Sequence, residues 1–267
     1  MTTHRLDIPD REDIVGVVAG NPGLFALTGT NSWIVGREPA WLVDPGPALE
    51  PHVDALTAEI HRRGGLGGIA LTHDHHDHAE AVPLLRERFP RAPVAAARGA
   101  VDQRLRDGDR FGPLQAIPTP GHSPDHVAYV TAGIAMTGDA VLGEGSVFVA
   151  ADPGALRSYL AALERLRTLE LSALAPGHGP VVLDPKAKLS QYIEHRLDRE
   201  RRLIAALAAG LRTVDELLDA AWPEAPAPLR PAAAVTLAAH LDKLAEEGSL
   251  PEGVERPPWP VPWLTQA

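Results

Sequence analysis

The chain has 267 residues, of which 45% are hydrophobic, and a formal net charge of −10. That length suits one large domain or a domain with a small appendage, and the acidity argues against a broad nucleic-acid surface. The absence of cysteine excludes a disulfide framework and thiolate chemistry, so any metal must be held through nitrogen and oxygen. No apolar run approaches the ~18 residues of a membrane span, and residues 1–13 have the form of neither a signal peptide nor a mitochondrial presequence. The expectation is a soluble cytoplasmic protein with no membrane partner.

Residues 14–18, 30–35 and 41–43 read as short strands, with a turn at Asn21-Pro22-Gly23 and a stop at Asp44-Pro45-Gly46. Helical spacing of Val53, Leu56 and Ile60 predicts a helix over 51–63, ended by glycines. Residues 68–71 form a buried strand, and Val82, Leu84, Leu85 and Phe89 predict a helix over 79–89. Further strands are predicted over 93–96, 114–117, 127–130, 134–137 and 171–175. A strongly amphipathic helix is predicted over 155–169. Strands interleaved with helices, followed by a second such set, make an α/β chain with two sheets packed face to face and helices outside.

The composition changes near Asp184-Pro185. A charged helix is predicted over 186–209. A capping box at Thr213-Val214-Asp215-Glu216 opens a second helix over 213–221. A Pro-rich loop then leads to a third helix over 232–247, stopped by Gly248. This is the outline of a winged-helix module. The expected division is a catalytic domain over 1–185, a small all-α, winged-helix-like domain over 186–250, and a Pro/Trp-rich tail over 251–267. The tail, with Trp259 and Trp263 among prolines, is expected to run extended over the surface.

Between the predicted strand 68–71 and helix 79–89 lies His73-Asp74-His75-His76-Asp77-His78. Imidazole and carboxylate are ligands of zinc, iron or manganese, and a loop has no other reason to gather histidines. Alternate side chains of an extended loop point the same way, so His73 and His75 can share one ion. Asp77 and His78, opening the helix, can hold a second. One loop cannot complete two ligand shells. Three more candidates follow strand ends beside glycine: His122 in Thr119-Pro120-Gly121-His122, Asp139 in Thr137-Gly138-Asp139, and His178 in Pro176-Gly177-His178-Gly179.

His-x-His-x-Asp-His followed by Gly-His, Gly-Asp and Gly-His resembles the metallo-β-lactamase fold superfamily, an αββα sandwich with a two-metal site at one edge. The resemblance spans residues 14–183. It implies His73, His75 and His122 on the first ion, Asp77, His78 and His178 on the second, and Asp139 bridging both, with Asp44 supporting the site from behind. A nearer similarity joins Asn21-Pro22-Gly23, Gly29-Thr30-Asn31-Ser32, Pro124-Asp125-His126 and Gln191-Tyr192-Ile193-Glu194-His195-Arg196 to the β-lactamase-like protein two group. That group includes a mitochondrial single-strand-specific endoribonuclease and fungal thioesterases that release polyketides from acyl carrier protein. One departure is Ala79-Glu80-Ala81, where such proteins usually read Ser-Gly-Gly or similar.

The resemblance implies a binuclear metal-dependent hydrolase that uses a metal-bridging hydroxide. Asp77 and Asp139 act as catalytic residues, with zinc as first choice and iron or manganese compatible. His75 stands where oxygen-reducing di-iron relatives carry Glu, which favours hydrolysis over redox chemistry. The substrate is expected to be single-stranded RNA or a small ester or thioester. A hydroxyacylglutathione-type or acyl-carrier thioesterase is the alternative. From another class, a winged-helix DNA-binding regulator is weighed, but the acidic residues over 212–248 argue against specific duplex DNA. A homodimer is left open. His126 is read as a contact behind the site, a substrate contact or a structural hydrogen bond to backbone, and His76 as facing solvent or lying behind the ligands. His4, His52, His61, His195 and His240 are expected at the surface. Lys186, Lys188, Arg196, Arg199, Arg201 and Arg202 make the one basic stretch, a solvated face with room for phosphate or carboxylate guidance.

Overall fold

Short strands, buried at the centre and exposed at both edges, build the first of two sheets, as the computed structural model, which describes residues 3–258, shows. Its strands are β1 (His4–Asp7), β2 (Ile14–Val18), β3 (Asn31–Val35), β4 (Ala40–Val43), β5 (Leu66–Ala70), β6 (Val94–Ala96) and β7 (Gln103–Arg104), arranged in chain order. β1 to β4 pair antiparallel and β4 to β7 parallel. The second sheet runs β12 (Ala173–Pro176), β11 (Ile134–Gly138), β10 (Val127–Thr131), β9 (Leu114–Pro118) and β8 (Arg110–Phe111).

Alternation along the strands decides which core each side chain joins. Trp33, Val35, Val43 and Ala70 of the first sheet meet Leu114, Ala116, Tyr129, Ile134 and Met136 of the second in one core between the sheets. Val15, Val17, Ile34, Leu42 and Ile69 face the other way. They pack with Val53, Leu56 and Ile60 of α1 (Glu50–Arg62) and Leu85 beyond it. Both faces of the first sheet are thus covered, as parallel strands require.

The helix expected over 79–89 is two: α2 (His76–Ala79) and α3 (Val82–Arg88). Pro83 lacks an N–H, and its ring would clash with the carbonyl four residues back, that of Ala79, so the first helix stops there. β1 has no counterpart in the predicted elements. It is mostly exposed and polar and exists through backbone pairing with β2, from His4 opposite Val18 to Asp7 opposite Val15.

The chain divides into two compact units. The first holds residues up to 119, 125–146 and 169–186; the second holds 120–124, 147–168 and 187 onward. The second contains α4 (Ala155–Thr168), nearly all of α5 (Pro185–Ala208), α6 (Val214–Ala221) and α7 (Arg230–Glu246). Its core gathers Leu203 and Leu207, Leu217, Leu218 and Trp222, and Leu237, Leu241 and Leu244. The capping box is present: Glu216 N–H donates to Thr213 Oγ1 at 3.4 Å, and Thr213 N–H to Glu216 Oε2 at 3.0 Å. Among the described residues no strand follows β12. Residues 251–258 lie without regular structure, tied to the helical unit by Glu255 N–H on Arg212 O at 2.8 Å. Trp259, Trp263 and the rest of the expected tail fall outside the described residues. No described helix is long and apolar enough to cross a membrane.

Candidate metal centre

The histidine-rich loop leaves β5 between the two sheets and is held by both. Leu71 N–H donates to Ala95 O at 2.9 Å, while Tyr129 O–H donates to Leu71 O at 2.7 Å and Val127 N–H to Thr72 O at 2.8 Å. His75 caps α2, its carbonyl accepting from the N–H groups of His78 and Ala79 at 3.0 Å. Asp77 and His78 therefore project from the first turn of a short helix. Glu80 faces outward and accepts from Ala48 N–H at 3.1 Å, while Ala81 is fully buried. The departure at Ala79-Glu80-Ala81 is thus absorbed without polarity inside.

Asp44, at the end of β4, is the anchor. It is 1% exposed and sits in the left-handed region at φ 52°. Its Oδ1 accepts from Thr72 N–H at 2.7 Å, and its Oδ2 from Thr72 O–H at 2.7 Å and from His78 Nδ1 at 2.9 Å. The network assigns the tautomers. His78 carries its proton on Nδ1. Thr72 has given its only hydrogen to Asp44, so it accepts from His73 Nδ1 at 2.9 Å. His178 Nδ1 donates to Gly29 O at 3.3 Å. In all three rings a second group thus holds Nδ1 and leaves Nε2 for a further partner, as in metal-binding histidines.

Those nitrogens converge on carboxylates. His78 Nε2 lies 3.2 Å from His178 Nε2, 3.4 Å from Asp139 Oδ1 and 3.6 Å from Asp77 Oδ2. His178 Nε2 lies 3.3 Å from each of those oxygens. Bonds of ~2.0–2.1 Å to a tetrahedral zinc imply ligand–ligand edges of ~3.3–3.4 Å, so the two nitrogens form with each carboxylate oxygen a triangle of about that spacing. The ligand atoms of His73, His78 and Asp139 likewise fall within 4.8 Å of one another, which puts Asp139 beside both ends of the motif. The rings of His73 and His75 are 4.4 Å apart.

The electrostatics ask for positive charge. Burial opposes protonation of His78, but Asp139, Asp77 and Asp44 hold its pKa well above the usual imidazole range. Burial likewise opposes the charge on His178, yet Asp139 and Asp77 bring it up to about 9. Burial alone would raise both carboxyls; the two histidines instead hold Asp77 at about 2 and Asp139 well below its ordinary value. Protons on the two histidines supply the compensating charge in the metal-free cluster, and a divalent ion is the other group that could supply it.

Backbone is brought equally close. A side chain at Gly177 would put its Cβ 2.7 Å from both Asp139 Oδ1 and His78 Cε1, so only glycine fits. His126 is buried and acts from behind: its Nε2 accepts from Asp139 N–H at 3.0 Å, which leaves Nδ1–H for Thr119 Oγ1 at 2.7 Å. His122 lies on the segment 120–124 that belongs to the second unit, its ring 4.6 Å from that of Phe148. His76 is exposed and outside the cluster. His52 and His240 correct the expectation of surface positions: both are fully buried, and His52 Nε2 lies 2.9 Å from Ser32 Oγ. Sequence reasoning gave no role to Asn21 and Thr30, which lie hydrogen-bonded beside Asp77. Their only signal was membership of the Asn-Pro-Gly and Gly-Thr-Asn-Ser motifs.

Two packed sheets whose strand ends bring histidine and aspartate donors together, followed by a helical C-terminal module, make the framework of a metal-dependent hydrolase. Residues 101–178 match the Metallo-beta-lactamase superfamily, and residues 213–250 the Beta-lactamase associated winged helix domain. The Beta-lactamase-like protein 2 homolog of Caenorhabditis elegans is 30% identical over 266 residues, covering 92% of this chain and 89% of that protein. The Atrochrysone carboxyl ACP thioesterase of Aspergillus chevalieri is 37% identical over 207 residues, covering 73% and 65%. A Beta-lactamase domain protein from Burkholderia ambifaria, known as a crystal structure, shares the fold with a TM-score of 0.76 at 20% identity, over 92% of this chain and 91% of its own. The chain belongs to the metallo-β-lactamase superfamily and carries the associated winged-helix domain.

Proposed function

We propose that the chain hydrolyses an acyl ester or thioester at a pair of divalent ions, zinc by preference. His73, His75 and His122 would hold one ion, and Asp77, His78 and His178 the other, with Asp139 shared. The observation that carries this reading is the pair of imidazole nitrogens 3.2 Å apart, each 3.3–3.6 Å from an oxygen of Asp77 and of Asp139 and each ring fixed from behind by Asp44 or Gly29. When bound, such ions lower the pKa of a water to near ~7 and polarise the carbonyl under attack. Asp77, with 36% of its side chain exposed, would orient the attacking water and accept its proton. Asp44, Thr72 and His126 keep His78, His73 and Asp139 in place while charge moves.

A polynucleotide substrate would need cations free to meet phosphates. The basic stretch of α5 is largely spent within its own unit. Arg196 and Arg199 are 2% and 5% exposed and donate to the carbonyls of Val147 and Ala221. Arg201 pairs with Glu194 at 2.6 Å and Arg202 with Asp198 at 2.8 Å. Two of the six basic residues expected on that face are thus interior. In the C-terminal module Arg230 pairs with Asp219 and Lys243 with Glu200, and α7 buries Val235, Leu237, Leu241 and Leu244. This supports a packing role rather than duplex reading. The Aspergillus relative is by name a thioesterase, in line with the same substrate class. The test is zinc- or manganese-loaded protein offered acyl thioesters, p-nitrophenyl esters, lactones, bis-p-nitrophenyl phosphate, single-stranded RNA and nitrocefin side by side. Turnover should be highest on the thioesters or esters. Single-stranded RNA cleaved with the largest kcat/KM would overturn the substrate assignment, and no metal-dependent turnover of any of them would overturn the hydrolase.

A further inference from the structure

We infer that Asn21 and Thr30 are positioning residues: a hydrogen-bond relay from the β2–β3 connection that fixes the rotamer of Asp77 and so sets the strength of the second ion's shell. The inference rests on the ligand assignment proposed above. Three bonds carry it. Thr30 N–H donates to Asn21 Oδ1 at 2.9 Å, Asn21 Nδ2 lies 3.0 Å from Thr30 Oγ1, and Thr30 Oγ1 lies 3.2 Å from Asp77 Oδ2.

Their directions follow from elementary donor counting. A backbone N–H can only donate, so the Asn21 atom facing it is the amide oxygen, and the atom facing Thr30 Oγ1 is the NH2. That group can only donate, so Thr30 Oγ1 accepts there and keeps its single hydrogen. The remaining neighbour, Asp77 Oδ2, is a carboxylate oxygen and can only accept. The hydroxyl hydrogen is therefore committed to Asp77, and the amide of Asn21 is what commits it.

The relay is built rigidly. Thr30 is fully buried, its carbonyl accepts from Ala19 N–H at 2.8 Å, and it forms an antiparallel bridge with His178. Next to it, Gly29 has φ 132°, and a Cβ there would stand 2.1 Å from Ala19 O and 3.1 Å from Asn21 Oδ1. Only glycine brings the chain close enough for the amide to grip Thr30. The Gly29 carbonyl is the same group that takes His178 Nδ1 at 3.3 Å. One short segment therefore aims two donors, Asp77 through a side chain and His178 through backbone. Asp77 needs this more than the buried ligands do. It projects from a helix of four residues, it is the most exposed carboxylate of the cluster, and Oδ2 is the very oxygen 3.3 Å from His178 Nε2.

The experiment uses the full chain loaded with zinc, with Thr30→Val, Thr30→Ala and Thr30→Ser variants. Bound zinc is counted by elemental analysis after dialysis, its affinity measured by competition with a chromogenic chelator, and kcat and KM measured on the best ester or thioester. Val keeps the shape and Ala relieves any crowding, but both lack the hydroxyl. Each should weaken the second ion ~10–100-fold, the usual effect of removing a group behind a metal ligand, and lower kcat with little change in KM. Thr30→Ser should restore zinc affinity and kcat together, which a purely structural role would not require. Val and Ala variants that hold both ions with wild-type affinity would overturn the relay, as would a Ser variant as weak as Val. The ligand assignment itself would fail differently, through wild-type protein that takes up no zinc at all.

Discussion

Replacing Asp44 by Asn changes no shape and removes the acceptor on which the site depends. Its carboxylate takes three hydrogen bonds, from Thr72 N–H, Thr72 O–H and His78 Nδ1 at 2.7, 2.7 and 2.9 Å. An amide keeps one oxygen for Thr72 N–H and turns its NH2 toward the other two. There it meets His78 Nδ1–H donor to donor. His78 can escape only by moving its proton to Nε2, the atom aimed at Asp139 and His178, so it can no longer ligate without losing that proton again. A group behind a metal ligand is worth ~10–100-fold in affinity, and at 1.36 kcal/mol per decade this is about 1.4–2.7 kcal/mol. The same range follows from a hydrogen bond to a charged group, ~1.5–3 kcal/mol. Chelator competition on the purified variant should show one ion held nearly as in wild type and the second weakened by that factor. Asp44→Asn with wild-type affinity for both ions would refute the tautomer assignment.

Elemental analysis of protein purified without chelator should find close to two transition-metal ions per chain, and none after zinc reconstitution would remove the central claim. His122→Ala and Asp139→Ala should abolish hydrolysis while exposed His76→Ala keeps most of it; equal loss in all three would place the ligands wrongly. Tyr129→Phe should leave the buried Leu71 carbonyl without its 2.7 Å hydrogen bond and cost ~1–3 kcal/mol in urea unfolding, with metal content unchanged. For chelated protein, His178 is raised to about 9, so its stabilising share is full below the ordinary histidine value of ~6.5 and lost as pH rises through about 9. Asp77, held at about 2, contributes in the opposite sense, its share present above ~3.9 and lost as pH falls through about 2. Melting temperatures of the metal-free protein should therefore decline between pH 6.5 and 9, and zinc should flatten that decline; a metal-free protein more stable at pH 9 would contradict the cluster's electrostatics.

What could be read from the sequence was what short-range chemistry decides. The His-x-His-x-Asp-His spacing, glycine beside each strand-end donor, the Thr213–Glu216 capping box and the short apolar runs of β2, β4 and β5 all act within a few residues. Each was legible without the fold because its energy is local. The Pro83 break was written there too, but helical spacing across 82–89 concealed it.

Tertiary structure alone decided the rest, because burial and partner choice belong to residues far apart in the chain. β1 is a polar edge strand that only β2 makes a strand. Arg196 and Arg199 look like surface charge on a helix, yet carbonyls at Val147 and Ala221 draw them inside. His52 and His240, ordinary in sequence, are sealed in the interior. The bonds that prepare the donors, from Asp44 to His78 and from Thr30 to Asp77, span separations of 34 and 47 residues. Which nitrogen of each ring faces the cluster is set by those partners. The donor types were therefore in the sequence, and their orientation came only with the packing of the strands that carry them.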